Sequence, residues 1–133
     1  MSLLCDRILQ RNVIVSVIGL GYVGLPMAIA LVRAGFTVYG VDINKEHIDT
    51  LREGKSYIQG INDSEIEAYI DKKLYVFESY DQLKEADAIL ICVPTPLLES
   101  KEPDLSYIQS SMTQILRVMK KNTLERSAKN PRK

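Results

Sequence analysis

The sequence has few of the residues that build disulfide frameworks and metal sites. Its 133 residues include two cysteines and one histidine. Cys5 and Cys92 lie far apart in the chain, so a disulfide scaffold is excluded and both are expected to be reduced thiols in a cytoplasmic protein. His47 cannot anchor a metal site by itself, and no cysteine and histidine cluster has the spacing of metal ligands. We therefore expect no metal.

The chain also lacks net charge, with 17 lysines and arginines against 17 aspartates and glutamates. This balance argues against a nucleic-acid binder that works by neutralising phosphates. A charged fraction of 26% beside 46% hydrophobic residues argues against intrinsic disorder. A chain of 133 residues has enough apolar surface for one independent core and not for two. The composition therefore predicts one globular domain.

One uncharged run, residues 13–32, has the length of a membrane span. Its middle is broken by Gly19, Gly21, Gly24 and Pro26, with β-branched residues before the break and helix-forming residues after it. A signal peptide is disfavoured because its apolar region is shorter and a small-residue cleavage site follows it. The run predicts a buried strand, a glycine turn and a helix, and no membrane partner.

The rest of the chain alternates short apolar runs with amphipathic stretches. The pattern predicts strands at residues 13–19, 36–42, 74–77 and 88–93, and helices at 3–10, 22–34, 44–53, 63–72, 79–85 and 104–121. Alternating strands and helices indicate a parallel α/β sheet of βαβ units with right-handed crossovers. The apolar first and fourth strands are expected to be buried on both faces. The last helix has one apolar stripe, formed by Leu105, Ile108, Met112, Ile115, Leu116 and Met119.

Two terminal segments lie outside this pattern. Residues 1–12 are expected to form a helical extension on the outside of the domain. Its apolar side consists of Leu3, Leu4, Ile8 and Leu9. Residues 120–133 carry six basic residues against one acidic residue. Residues 122–133 are expected to be a disordered basic tail, and the alternative is a contact site for an acidic partner.

The uncharged run contains a glycine motif formed by Gly19, Leu20, Gly21, Tyr22, Val23 and Gly24. This G-x-G-x-x-G follows a predicted strand and opens a predicted helix, a context typical of a loop that holds the pyrophosphate of a dinucleotide. Gly19 permits the turn, Gly21 lets the backbone approach the phosphates, and Gly24 lets the helix pack closely on the sheet. Unpaired amides around Tyr22 and Val23 would bind the anion. The alternative is a glycine turn without a ligand.

Three further segments are expected to line the same site. Asp42 ends the second strand about twenty residues after the motif, where its carboxylate would accept ribose hydroxyls and repel a 2′-phosphate, so NAD is favoured over NADP. Alternatively, Asp42 only caps the next helix. Val93, Pro94 and Thr95 end the fourth strand, where Thr95 would lie near the second ribose or the prolines would only fix a turn. His47 is either an exposed surface residue or a contact of the adenosine end.

No residue of the chain is predicted to be catalytic. Cys92 lies in the apolar segment AILICV without a neighbouring base. Burial in such surroundings raises the pKa of a thiol and leaves little reactive thiolate. No arrangement of serine, histidine and aspartate for nucleophilic catalysis is present in the pattern.

Four blocks, VIGLGYVGLP, GVDIN, ICVPTPL and EPDLSY, occur in an order and at intervals that resemble the N-terminal NAD-binding domain of the UDP-glucose/GDP-mannose dehydrogenase family. The resemblance covers residues 13–121. Through SYI at residues 56–58 together with VPTPL and EPDLSY, it is most similar to the branch that acts on UDP-N-acetylhexosamines. It implies a Rossmann-type doubly wound parallel sheet, incomplete at its C-terminal side. It also implies that NAD is bound by Gly19, Gly21, Tyr22, Val23, Gly24, Asp42, His47, Val93, Pro94 and Thr95. His47 departs from the family, which usually has lysine or arginine there, so this contact is expected to be weaker or pH-dependent.

The resemblance also implies a reaction. Family members oxidise the C6 alcohol of a nucleotide sugar to a uronic acid with two NAD, through a thioester on a cysteine. After the last helix the family continues with a strand, a long helix and a substrate domain that bears this cysteine and a lysine, whereas this sequence ends in NTLERSAKNPRK. We therefore expect NAD binding without catalysis, a UDP-sugar partner only if the missing half is supplied, and homo-oligomers through an exposed sheet edge. The alternative is a self-standing NAD-sensing or protein-interaction module.

Overall fold

The computed structural model describes residues 3–129, which form one four-stranded parallel sheet in the order β3-β2-β1-β4. The strands are β1 (Ile14–Ile18), β2 (Thr37–Val41), β3 (Leu74–Phe77) and β4 (Ala88–Ile91). The helices are α1 (Leu3–Leu9), α2 (Gly24–Arg33), α3 (Lys45–Arg52), α4 (Asp63–Tyr69) and α5 (Ser106–Lys129), and a 3-10 helix covers Asp81–Glu85. The predicted parallel α/β sheet is confirmed.

Strand β1 is central because it pairs with β2 on one side and with β4 on the other. Val15 of β1 lies opposite both Val38 and Ala88. Even the polar residue of this strand is buried, and the Ser16 hydroxyl donates to the Tyr39 carbonyl at 2.9 Å. A buried hydroxyl needs such a partner, since an unpaired one would cost desolvation energy.

The two faces of the sheet are covered unequally. The main hydrophobic core joins the sheet to α2, α3 and α4 through Val17, Leu20, Leu25, Ala28, Ile29, Val32, Val38, Ile48, Leu51, Ile58, Ile66, Leu74 and Val76. A smaller cluster on the 3-10 helix side contains Ile18, Val41, Leu83 and Ile115. The carboxyl ends of the strands lie between these two layers of helices.

Helix α3 begins where the sequence predicts a cap. The Asn44 side chain accepts hydrogen bonds from the amides of Glu46 and His47, at 3.0 and 3.4 Å. These bonds satisfy two of the amides that the first helical turn leaves without a partner. The helix is followed by Gly54 with a φ of 78°, a conformation that glycine adopts without strain.

Helix α1 lies on the outside of the domain, but its apolar side faces solvent. Leu3, Leu4, Ile8 and Leu9 are all exposed, and no described residue of the helix is buried. An ion pair attaches the helix to the domain instead, because both terminal nitrogens of Arg7 donate to the Asp87 carboxylate at 2.9 Å.

Strand β4 is less buried than its apolar sequence predicts, and its residues alternate between exposed and half-buried. The reason is its position, since β4 lies at an edge of the sheet formed by the described residues. The expected stripe on α5 is also only partly buried. Ile115 packs against Leu83, whereas the exposed members of the stripe are Leu105, Met112, Leu116 and Met119.

Helix α5 continues to Lys129 and therefore includes residues 122–129, which were expected to be disordered. This stretch has no apolar stripe, but it also contains no glycine or proline to end a helix. Residues 130–133 of the predicted tail lie outside the described residues. Within the described part of the chain, no helix is both long and apolar enough to cross a membrane.

Candidate functional site

The carboxyl ends of the strands border a cleft of about 880 Å³. Open α/β sheets bind ligands at this edge, where neighbouring connections leave toward opposite faces. The predicted site residues that line the cleft are Gly19, Gly21, Tyr22, Val23, Asp42, His47, Val93, Pro94 and Thr95. Gly24 is the exception because it lies buried behind the loop, as the first residue of α2.

The glycine loop turns sharply between β1 and α2. Gly19 has a φ of 91° and donates its amide to the Val41 carbonyl at 2.7 Å. A Cβ at Gly19 would lie 2.6 Å from the Cys92 carbonyl oxygen, and a Cβ at Gly24 would lie 1.6 Å from the Gly19 carbonyl oxygen. Both distances are far below van der Waals contact, so only glycine fits at these two positions.

Gly21 differs from these two glycines, because the space around it is open. A Cβ placed there would have no atom within 4 Å. Among the described residues, none accepts a hydrogen bond from the amides of Gly21, Tyr22 or Val23, and α2 has no side-chain cap. An open backbone surface with unpaired amides at a helix N-terminus fits a phosphate group.

Asp42 connects the glycine loop with the start of α3. One carboxylate oxygen accepts the Leu20 amide at 3.0 Å and lies 3.0 Å from His47 Nδ1, and the other accepts the Asn44 amide at 2.8 Å. Asp42 therefore supports the turn before α3, whereas the side chain that caps the helix is Asn44. A carboxylate offers about four acceptor positions, so these three bonds leave capacity for a ribose hydroxyl.

Tyr57, which the sequence did not identify as a site residue, fixes the His47 ring. The two rings stack with centroids 4.1 Å apart and an interplanar angle of 9°. The Tyr57 hydroxyl donates to the Leu20 carbonyl in the glycine loop. Burial raises the pKa of Tyr57 well above its ordinary value, and the nearby Asp42 charge adds to this, so the hydroxyl stays protonated. No spacing in the sequence predicts that Tyr57, in the loop after α3, contacts Leu20 in the glycine loop.

Cys92 lies beneath the glycine loop and is part of its support. Its amide donates to the Ile18 carbonyl at 2.7 Å, and its backbone carbonyl contacts the turn at Gly19. Burial raises the pKa of the Cys92 thiol, which keeps it protonated and unreactive. Thr95, three residues further, is exposed at the cleft.

A second wall of the cleft was not predicted. It comes from the segment after β3 and from α5, and consists of Glu78, Ser79, Tyr80, Asp81, Tyr107, Ser110, Ser111, Gln114 and Val118. The first part could have been found, because β3 ends at the same edge as the strands that carry the predicted residues. The α5 residues could not have been found from the sequence, since their position depends on which face of α5 packs against the 3-10 helix.

The cleft has a distinctive charge distribution. No lysine or arginine is among its described lining residues, whereas Asp42, Glu78 and Asp81 are. A phosphate in this cleft would therefore be bound by backbone amides and helix dipole. Within the described residues, no group of histidine, cysteine, aspartate and glutamate side chains is arranged to hold a metal ion.

Comparison with protein families gives a match over most of the chain. Residues 13–127 match the UDP-glucose/GDP-mannose dehydrogenase family, NAD binding domain. This match confirms the predicted cofactor, NAD.

Curated relatives include a Ralstonia nicotianae NDP-N-acetyl-D-galactosaminuronic acid dehydrogenase, 40% identical over 116 residues. The UDP-N-acetyl-D-mannosamine dehydrogenase of Escherichia coli K12 is 39% identical over 110 residues. Each alignment covers 83% of this chain and 26% of the relative, so the chain spans about a quarter of their length.

Solved structures show the same relationship. A UDP-D-ManNAc dehydrogenase from Pyrococcus horikoshii aligns with a TM-score of 0.71 and 35% identity, over 80% of this chain and 26% of that one. A GDP-mannose dehydrogenase from Pseudomonas aeruginosa aligns with a TM-score of 0.69 and 31% identity, over 76% of this chain and 24% of that one.

Proposed function

Because the chain belongs to the UDP-glucose/GDP-mannose dehydrogenase family, we propose that it supplies the NAD site of a nucleotide-sugar 6-dehydrogenase. The observation that carries the proposal is the open glycine loop, with unpaired amides at Gly21, Tyr22 and Val23 beside Asp42. The names of both curated relatives favour an N-acetylhexosamine sugar nucleotide as the substrate class, and the name of the Escherichia coli relative favours UDP as its nucleotide. Those relatives are dehydrogenases, so they give no support to a self-standing NAD-sensing or interaction module.

Each part of NAD has a suitable group in the cleft. The amides of the glycine loop would hold the pyrophosphate, and the remaining acceptor position of Asp42 would bind the adenosine ribose. Val93, Pro94 and Thr95, at the end of β4, would border the nicotinamide side. NAD, when bound, supplies the hydride acceptor for oxidation of the sugar alcohol.

The chain of 133 residues is proposed to bind NAD without oxidising a sugar. Cys92 is the cysteine that lines the cleft, and burial keeps its thiol protonated. The relatives are about four times as long as the matched segment. A UDP-sugar would be bound and oxidised only when a polypeptide with the remaining family sequence is supplied.

Calorimetric titration with NAD and NADP tests this proposal. We expect saturable NAD binding that is tighter than NADP binding, and about a tenfold or greater loss of NAD affinity in Asp42→Ala because ribose hydrogen bonds to a charged acceptor are removed. Asp49→Ala is the matched control, since Asp49 is an exposed aspartate of α3 outside the cleft. Absence of NAD binding to a chain that is folded by circular dichroism would contradict the proposal, as would an equal loss in both variants.

A further inference from the structure

Tyr57 is not among the described residues that line the cleft, yet it bonds the backbone of the glycine loop. Its hydroxyl donates to the Leu20 carbonyl, which belongs to the same peptide unit as the Gly21 amide. The described peptide bonds are all trans, so the carbonyl and the amide of this unit point in opposite directions. Tyr57 therefore fixes the direction of the Gly21 amide, which is one of the unpaired donors at the cleft.

The loop needs such a restraint because its outer residues are exposed. Tyr22 and Val23 are 82% and 66% exposed, and the space around Gly21 is open. Glycine adopts many backbone conformations, so the peptide unit before Gly21 could rotate and turn its amide away from the cleft. Among the described residues, no backbone amide donates to the Leu20 carbonyl, and the Tyr57 hydroxyl is the partner that holds it.

The preceding peptide unit of the loop is held as well. The Leu20 amide donates to the Asp42 carboxylate at 3.0 Å. That carboxylate lies 3.0 Å from His47 Nδ1, and the His47 ring stacks on Tyr57. Asp42, His47 and Tyr57 thus form a closed ring of contacts around the Leu20 backbone, in which Tyr57 holds the peptide unit that contains the Gly21 amide.

Tyr57 is itself anchored in the loop after α3. The Ser56 amide donates to the Asp63 carboxylate at 2.8 Å, and the Ser56 hydroxyl accepts the Ile58 amide at 3.1 Å. Ile58 is buried in the main core, and the Tyr57 ring packs against the same core. Burial raises the pKa of Tyr57, so its hydroxyl remains protonated and can donate. The fold therefore holds this donor in place from both neighbouring residues.

We propose that Tyr57 is a positioning residue that directs the Gly21 amide toward the phosphates of NAD by bonding the Leu20 carbonyl. The inference rests on the proposed NAD site and adds a residue from outside the cleft lining. Hydrogen bonds in a chain polarise one another, so a phosphate bonded to the Gly21 amide would extend a chain that begins at the Tyr57 hydroxyl. The hydroxyl thus serves the pyrophosphate, whereas the ring supports His47.

The test combines calorimetric titration with NAD and NMR of the Gly21 amide in three proteins: the full chain, Tyr57→Phe and Tyr75→Phe. Tyr57→Phe removes the hydroxyl and keeps the ring that stacks on His47. Tyr75→Phe is the matched control, since the Tyr75 hydroxyl also donates to a backbone carbonyl, that of Lys72, outside the cleft. We expect about a tenfold loss of NAD affinity and a displaced Gly21 resonance in Tyr57→Phe, and less than about a twofold change of affinity in Tyr75→Phe.

A role in stability alone gives a different result. It would lower the free energy of unfolding, because the buried Leu20 carbonyl loses its partner, and it would leave the NAD affinity of the folded variant unchanged. Unchanged NAD affinity or an unchanged Gly21 resonance in folded Tyr57→Phe would therefore overturn the inference and leave the proposed function intact. An equal loss of affinity in Tyr75→Phe would do the same.

The unaltered chain provides a second test, which does not depend on whether Tyr57→Phe folds. Saturation with NAD is expected to shift the amide resonance of Gly21, because this amide gains a charged acceptor. Saturation without this shift would overturn the inference, since the peptide unit that Tyr57 holds would then not present its amide to the phosphates. Absence of NAD binding to the folded chain would overturn both the inference and the proposed function.

Discussion

Gly21 and Gly24 belong to the same motif, but their surroundings differ completely. The position of a Cβ at Gly24 is occupied by the Gly19 carbonyl oxygen, only 1.6 Å away. A Cβ at Gly21 would enter open space, in the region proposed for the pyrophosphate. Gly24 is thus required by the fold, whereas we propose that Gly21 is required by the ligand.

This difference predicts opposite behaviour of two alanine variants. Gly24→Ala is expected to destabilise the chain by several kcal/mol, at the upper end of single-residue effects, because the loop backbone must move. Gly21→Ala should keep or slightly raise the free energy of unfolding, by about 0.4–1 kcal/mol, since alanine restricts the unfolded chain. Its NAD affinity should nevertheless fall by at least about tenfold, because the methyl group blocks the phosphates.

Urea denaturation and NAD titration of both variants measure these two effects. Each variant serves as the control for the other, since both carry the same chemical change within one loop. Unchanged NAD affinity in a folded Gly21→Ala chain would show that the phosphates do not approach this face of the loop.

Among individual residues, the sequence predicts those whose role depends on backbone geometry. The spacing of Gly19 and Gly24 predicts the turn, because a tight strand-to-helix connection imposes it. Tyr57 could not be predicted in the same way. Its contacts with His47 and Leu20 depend on how the loop after α3 folds back over the glycine loop, and residues 53–62 contain no period that encodes this.

Among the helices, α1 is unusual because polar contacts attach it to the domain. Arg7 bonds both oxygens of Asp87, and one of those oxygens also accepts the Ile14 amide at 2.9 Å. Arg11 adds a bond from Nε to the Ala34 carbonyl at 2.7 Å. Asp87 therefore joins α1 to the beginnings of β1 and β4, at the end of the sheet opposite the cleft.

The two sides of the Arg7–Asp87 pair should not be equivalent. Asp87→Ala is expected to cost about 1–3 kcal/mol of unfolding free energy, because it also leaves the Ile14 amide without its acceptor. Arg7→Ala should cost about 1 kcal/mol or less, since the pair is partly exposed and water screens it. Neither change should alter NAD affinity.

Urea denaturation provides the unfolding free energies, and amide exchange of residues 3–12 reports release of α1. Arg33→Ala is a suitable control because Arg33 forms a more exposed ion pair, with Glu65, on another helix. Equal losses in Asp87→Ala and Arg33→Ala would contradict the role assigned to the Ile14 bond.

The elements that were predicted well are those with local signals. The Asn44 cap and the following Gly54 mark the ends of α3 directly in the sequence. The burial of β4 was overestimated because an apolar strand has the same sequence pattern at the edge and in the centre of a sheet. The order of the strands in the sheet determines whether β4 lies at the edge, and this order depends on contacts between distant segments.

In the molecule as a whole, a second exposed apolar surface, besides the one on α1, lies around β4 and α5. Among the described residues, β4 has a hydrogen-bonded neighbour on one side only, and Leu90 is 36% exposed. Leu116 of α5 and Leu105, which directly precedes the helix, are also exposed. A sheet edge with nearby apolar side chains is a template for pairing with another chain.

We therefore expect the 133-residue chain to self-associate as its concentration rises, measured by sedimentation velocity. Leu90→Lys should shift the equilibrium toward monomer, because a charge beside the edge opposes strand pairing. Leu9→Lys is the matched control, since it places the same charge on exposed α1. A single monomeric species at all concentrations would contradict this expectation, and equal effects of both lysines would assign the association to general hydrophobicity.

The strand order also determines when the cleft is assembled during folding. Strand β1 meets β2 after one helix, whereas β4 reaches β1 only after β2, β3 and the intervening helices have been traversed. Closing that longer loop costs more entropy, and parallel pairing between distant segments is slow. The turn at Gly19 rests on the backbone of Cys92, just beyond β4. The glycine loop is local in sequence, yet we expect its completed form to be a late product of the folding reaction.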